Sequence, residues 1–133
     1  MNKTKDVFGK EIYRYSRSQA IEDGVLVDVS EMPEAKEAGF KFPVAMTRTV
    51  WNRCVEIPEG VVGQDIAGRL WDVLYMLRIA IQRTGPGSDI VFMELHVRND
   101  NREEMPPLVS LKAICGPGDE GEPVITIMLP EED

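Results

Sequence analysis

Ile66, Leu70, Val73, Leu74, Leu77 and Ile81 recur at spacings of three, four and seven. A stretch from Asp65 to Arg83 with that rhythm folds most simply into one amphipathic helix, because residues three and four apart share a face. Trp71 and Tyr75 sit four apart and widen the stripe, while Arg69, Asp72, Arg78 and Arg83 fall towards the other side and are expected in water. Asp65 is the expected N-cap, since its carboxylate can accept from the open amides of the first turn at the positive end of the dipole. Thr84-Gly85-Pro86-Gly87 stops the helix. Burying six large aliphatics at roughly 1.5–3 kcal/mol each supplies on the order of 10 kcal/mol before chain entropy is subtracted. The helix is therefore the expected backbone of a core.

The chain has 133 residues, 43% hydrophobic and 29% charged, which fits one domain spanning 1–133, with 1–10 and 130–133 expected to be flexible. No apolar run approaches the roughly 20 residues of a membrane span. Met1 to Asp6 is basic but no apolar segment follows, so no secretory signal is read and a cytoplasmic location is expected. Cys54 and Cys115 lie in apolar contexts without CxxC spacing, as buried free thiols would. One histidine and two scattered thiols give no metal-ligand spacing, and no metal or cofactor is expected.

Taken in order, Ser16 and Gln19 suggest a capping box for a short helix, Arg17 to Asp23, closed by Gly24. Val25 to Val29 reads as an edge strand. Ser30 is the expected cap of a second short helix, Glu31 to Ala38, ended by Gly39. Phe40 and Phe42 are expected to plug the core, and Pro43 to open a third helix reaching Val55, with Thr47, Val50, Trp51, Cys54 and Val55 inward. The last third alternates. In Ile90 to Arg98, Val91, Met93, Leu95 and Val97 point one way and Phe92, Glu94, His96 and Arg98 the other. Leu108 to Cys115 and Val124 to Leu129 complete an antiparallel meander. The expected fold is α+β and two-layer, a three- to four-stranded, mainly antiparallel sheet packed on helices.

The net charge of −8 is unevenly placed: residues 117–133 hold six acids and no base. Such a field repels nucleic acid and anionic membrane and attracts basic surfaces, although it also serves as a solubilising terminus. Asp119, Glu120 and Glu122 fall short of a calcium-loop pattern. Glu94, His96 and Arg98 share one side of a strand, with Ser110, Lys112 and Thr126 as candidate neighbours, and a histidine beside a carboxylate suits acid–base chemistry. The plainer reading, a solvated sheet face with cross-strand pairs, ranks above it. Gly85-Pro86-Gly87-Ser88 and Gly116-Pro117-Gly118-Asp119 lead into strands and lack phosphate-loop spacing, so they read as turns.

The stretches Tyr15 to Val29, Gly39 to Ala45, Leu70 to Leu74, Val97 to Asn101 and Cys115 to Val124 together resemble a domain-of-unknown-function family of small acidic bacterial proteins carried on phages and plasmids. The likeness runs from about Tyr13 to the end. The family has no assigned activity or catalytic residues, so none is carried over; what the resemblance implies is an accessory protein of mobile-element origin. Three functions follow in order of rank. The first is a non-enzymatic module that binds a basic protein surface through Asp119, Glu120 and Glu122, such as an inhibitor of a host nuclease or DNA-binding complex of the anti-restriction or anti-CRISPR type. The second is a homodimer through Phe92 and Ile114. The third is a ligand-binding domain or enzyme using Glu94, His96, Arg98 and Lys112. Direct nucleic-acid or membrane contact is not expected.

Overall fold

The structure, a computed structural model, describes residues 15–133. The expectation for residues 1–10 lies outside the described residues. The element order is α1 (Arg17–Glu22), β1 (Leu26–Asp28), α2 (Pro33–Ala38), β2 (Val44–Thr47), α3 (Arg48–Val50) running into a π-turn (Trp51–Val55), α4 (Ile66–Thr84), β3 (Ile90–His96), β4 (Leu108–Pro117) and β5 (Pro123–Met128). The strands form one sheet in the order β1-β2-β5-β4-β3. All neighbours are antiparallel except β2 and β5, which run parallel. The fold is α+β, but the sheet has five strands and is mixed, which corrects the expected three to four mainly antiparallel ones.

The correction comes from Val44-Ala45-Met46-Thr47, expected to open a helix. Val44, Ala45 and Met46 are fully buried and Thr47 nearly so, because β2 lies between β1 and β5 with both faces covered. A short apolar run buried on two sides carries no alternation, so periodicity cannot separate it from helix. The helix begins only at Arg48, where the Thr47 hydroxyl accepts from the Val50 amide at 3.2 Å. Ser30 is likewise not a helix cap; Met32 occupies that position in α2. The Ser30 hydroxyl instead accepts from the Val44 amide (2.8 Å) and donates to the Val44 carbonyl (3.1 Å). It thereby stands in for a strand neighbour where β1 leaves the sheet.

The core lies between α4 and the inner sheet face. Leu70, Val73, Leu74 and Leu77 of α4 meet Val91, Met93, Leu95, Leu111, Ala113, Ile125 and Ile127, while Ala35 and Ala38 of α2 and Val50, Cys54 and Val55 close it at the sides. The Asp65 carboxylate accepts from the Gly68 amide at 2.7 Å and caps α4, as expected. The stripe is narrower than its sequence: Ile66, in the first turn of α4, is 47% exposed and Ile81, in the last, 37%. Phe42 is 47% exposed and is no core plug; Phe40 packs half-buried against the core. On the outer sheet face α1 lies near β1, with Ala20 buried.

The largest correction is Arg69, expected in water and found 5% exposed. Its guanidinium donates to the carbonyls of Val55 (3.0 Å), Glu56 (3.1 Å), Arg53 (3.5 Å) and Arg98 (2.5 Å) and to Asn99 Oδ1 (2.7 Å). These carbonyls belong to the end of the π-turn and to the exit of β3, where a helix terminus leaves acceptors unmatched. A cation also suits the negative end of a helix dipole. Arg69 therefore joins two segments remote in sequence, and burial lowers the pKa of its guanidinium.

Candidate functional site

β3 and β4 pair with Glu94 opposite Ser110, Phe92 opposite Lys112 and His96 opposite Leu108. The Ser110 hydroxyl donates to Glu94 at 3.3 Å. His96 Nδ1–H donates to the Pro106 carbonyl at 2.7 Å. Arg98 turns away from both and folds the following loop, donating to Asp100 at 3.3 Å, to the Glu104 carbonyl at 2.6 Å and to the Arg102 carbonyl. Thr126 accepts from Arg17 at 2.6 Å. The candidate residues thus share a face but are engaged separately. Glu94 meets Ser110, His96 and Arg98 hold loop backbone, and none points at a common reacting atom.

The acidic loop is more internal than its charge suggests. Asp119 accepts from the Arg17 amide (2.7 Å) and the Ser18 amide (2.9 Å), capping α1 from across the fold. Those amides hold the Asp119 carboxyl below its ordinary range, with Arg17 adding a smaller Coulombic pull. The Arg17 side chain meanwhile donates to Thr126 and to the Ile125 carbonyl (2.9 Å), tying α1 to β5. Glu122 turns back into its own turn, its carboxylate accepting from the Glu120 amide at 3.0 Å. A Cβ on Gly118 would meet that carboxylate, so a larger residue there requires the Glu122 side chain to swing out of its turn. Glu132 accepts from the Thr47 hydroxyl (2.9 Å) and the Leu129 amide (2.8 Å). Glu120, Glu131 and Asp133 remain exposed, with carboxylates that no described residue engages.

The Asp119 cap sets a pH dependence. A carboxyl whose folded pKa is depressed contributes stability above its unfolded pKa, near 3.9, and loses it as pH falls through the lower folded value. Asp119→Ala is expected to cost about 1 kcal/mol at pH 7, as loss of a capping acceptor does. That difference from wild type should shrink as the pH falls below about 4, as read by urea unfolding and by the amide signals of Arg17 and Ser18.

Of the hollows that adjoin these groups, three flank the sheet. One, about 710 Å³, lies on the outer face between α1 (Arg17, Ala20) and Ile114, Thr126 and Met128. Another, about 440 Å³, is largely apolar and lies between Phe40, Phe42, Arg78 and Ile81 and the sheet end at Val91 and Cys115. Arg78 is committed there to the Ala38 carbonyl at 2.8 Å. The third, about 540 Å³, runs along β3 beside the C-terminal half of α4. Cys54 is buried, and desolvation raises its thiol to about 11 against the pull of Arg69 and Arg53, so it stays protonated and inert. Among the described residues no three His, Cys, Asp or Glu side chains are placed to hold a metal ion, and no helix is long and apolar enough to cross a membrane.

The open edge of the sheet at β3 is not legible in the sequence, because edge status follows from strand order and strand order depends on β2. No curated protein and no solved structure matches the chain. Residues 5–133 match the family described as "Family of unknown function (DUF6573)", and the chain belongs to it.

Proposed function

We propose that the protein is a small non-enzymatic accessory module that docks on a basic protein surface. In a cytoplasmic, mobile-element setting, a nuclease or DNA-binding complex is the natural target class, with carboxylates standing where phosphates would bind; anti-restriction and anti-CRISPR inhibitors are of this kind. The observation that carries the reading is the unspent part of the acidic segment. Asp119, Glu122 and Glu132 are used internally, while Glu120, Glu131 and Asp133 project with nothing from the described residues to neutralise them, on a chain of net charge −8. Such charges raise association rates and make binding salt-sensitive. The catalytic alternative around Glu94, His96, Arg98 and Lys112 is weakened by the separate engagement of His96 and Arg98.

The test is capture of partners from the native host with tagged wild type and with Glu120→Gln/Glu131→Gln/Asp133→Asn. Three exposed ion pairs at about 0.5–1 kcal/mol each predict roughly tenfold or greater loss of retention of a basic protein, and release of that protein by salt. Asp119 and Glu122 are left intact because their removal disturbs α1 and the turn. Equal retention by the variant at low salt overturns the reading.

A further inference from the structure

β3 is an edge strand of seven residues, whereas the opposite edge, β1, has three. The Cys115 amide donates to the Asp89 carbonyl at 2.8 Å and the Val97 amide to the Pro107 carbonyl at 3.0 Å. In an antiparallel ladder the residues that exchange bonds alternate, so Asp89, Val91, Met93, Leu95 and Val97 face β4. Ile90, Phe92, Glu94 and His96 therefore turn their backbone N–H and C=O outward. The Ser88 hydroxyl covers Ile90, donating to its carbonyl at 2.8 Å and lying 3.4 Å from its amide. No described residue covers the backbone of Phe92, Glu94 or His96. The edge carries no proline, bulge or lysine of the kind that usually blunts one.

Both flanks of this edge are shaped for a strand. On the outer face Phe92 is 68% exposed and Glu94 accepts from Ser110. Towards α4 the 540 Å³ groove, floored by Phe92, Met93 and Glu94 of β3, is bounded by Met76, Ile79, Ala80 and Arg83. A strand laid along β3 would alternate side chains between these two sides. We infer that the β3 edge receives an extended segment of a partner protein, paired through Phe92, Glu94 and His96, with a lysine or arginine opposite Glu94 and apolar residues facing α4. This deepens the proposed docking function and rests on it for the partner's charge alone. A second copy fits less well. Self-pairing centred on Glu94 sets like charges opposite one another, centred nearer Ile90 it needs backbone groups that Ser88 already holds, and centred on Leu95 it pairs Phe92 with Arg98, whose carbonyl Arg69 already holds. Two chains of net charge −8 also repel.

The experiment follows amide exchange of the full chain, alone and with three seven-residue peptides. One alternates lysine and valine, one is the same peptide N-methylated at alternate residues, and one carries glutamate for lysine. The amides of Phe92, Glu94 and His96 are expected to exchange fast in the protein alone and at least about tenfold more slowly with the lysine peptide. The methylated and glutamate peptides should give no such protection. Phe92→Pro removes an outward N–H and no ladder bond, so Val91 and Met93 should stay protected while protection of Glu94 and His96 by the lysine peptide is lost. Salt-dependent binding of the lysine peptide without edge protection overturns the edge and leaves acidic docking standing. Equal protection by the glutamate peptide overturns the basic partner. Protection of the three amides in the protein alone overturns the proposal as well, a rise with protein concentration then assigning the edge to a second copy and constancy assigning it to the chain itself.

Discussion

Arg69→Met is expected to lower the free energy of unfolding by about 3 kcal/mol or more, because four carbonyls and one side-chain amide oxygen lose a shared charged donor. The carbonyls of Val55, Glu56 and Arg53 end the π-turn, and that of Arg98 lies just beyond β3. Water can reach the outer members of the set and restores part of the loss, which is why the figure is far below the sum of five bonds. Methionine keeps an unbranched apolar side chain at the position, so the loss reports on the donors more than on volume. Arg69→Lys should recover little. One ammonium carries three donors at a single point, whereas the acceptors here surround a planar fork. Among the described residues no carboxylate forms an ion pair with Arg69, so the penalty should change little between low and high salt. Urea unfolding of the three proteins measures the size, and amide exchange at Glu56 and Val97 shows whether the two joined segments loosen together.

Arg69 also marks where sequence reading stops. The period of α4, its Asp65 cap and its Gly85 stop all depend on residues close in the chain, and they were legible. The alternation of β3 was legible for the same reason, since its inner set Val91, Met93 and Leu95 is buried while Phe92, Glu94 and His96 are exposed. Arg69 sits beside Leu70 on a helix whose cap and extent were legible, yet its partners lie 13 to 30 residues away. Nothing local distinguishes it from Arg78, which is exposed. β2 failed for a related reason: its extended form is imposed by β1 and β5, which are remote in sequence. The same ignorance hid the open edge, because a meander of β3, β4 and β5 alone has two edges and gives no reason to single out β3. In the acidic segment the charge was legible but its direction was not. Asp119 is about a hundred residues from the amides it caps, so only the assembled fold separates it from Glu120.

The second large effect separates a helix stripe as written from the stripe as buried. Leu74 is fully buried at the centre of α4, and Leu74→Ala should cost about 3 kcal/mol, within the 2–5 kcal/mol of comparable core truncations. The loss combines the transfer energy of the removed carbons with the cavity left between α4 and the sheet, where Leu77, Leu111 and Ile127 are each fully buried and have little room to collapse. Ile66→Ala and Ile81→Ala remove as many carbons from the same periodic pattern, but both side chains are partly in water already. Each should cost under about 1 kcal/mol, offset in part by the higher helix propensity of alanine. All three variants are compared by urea unfolding at one temperature, with the slope against denaturant checked for constancy. Equal losses at Leu74 and Ile66 would mean that α4 buries its first turn as deeply as its middle. The helix would then have to be shifted or rolled on the sheet, and the groove beside β3 would change with it.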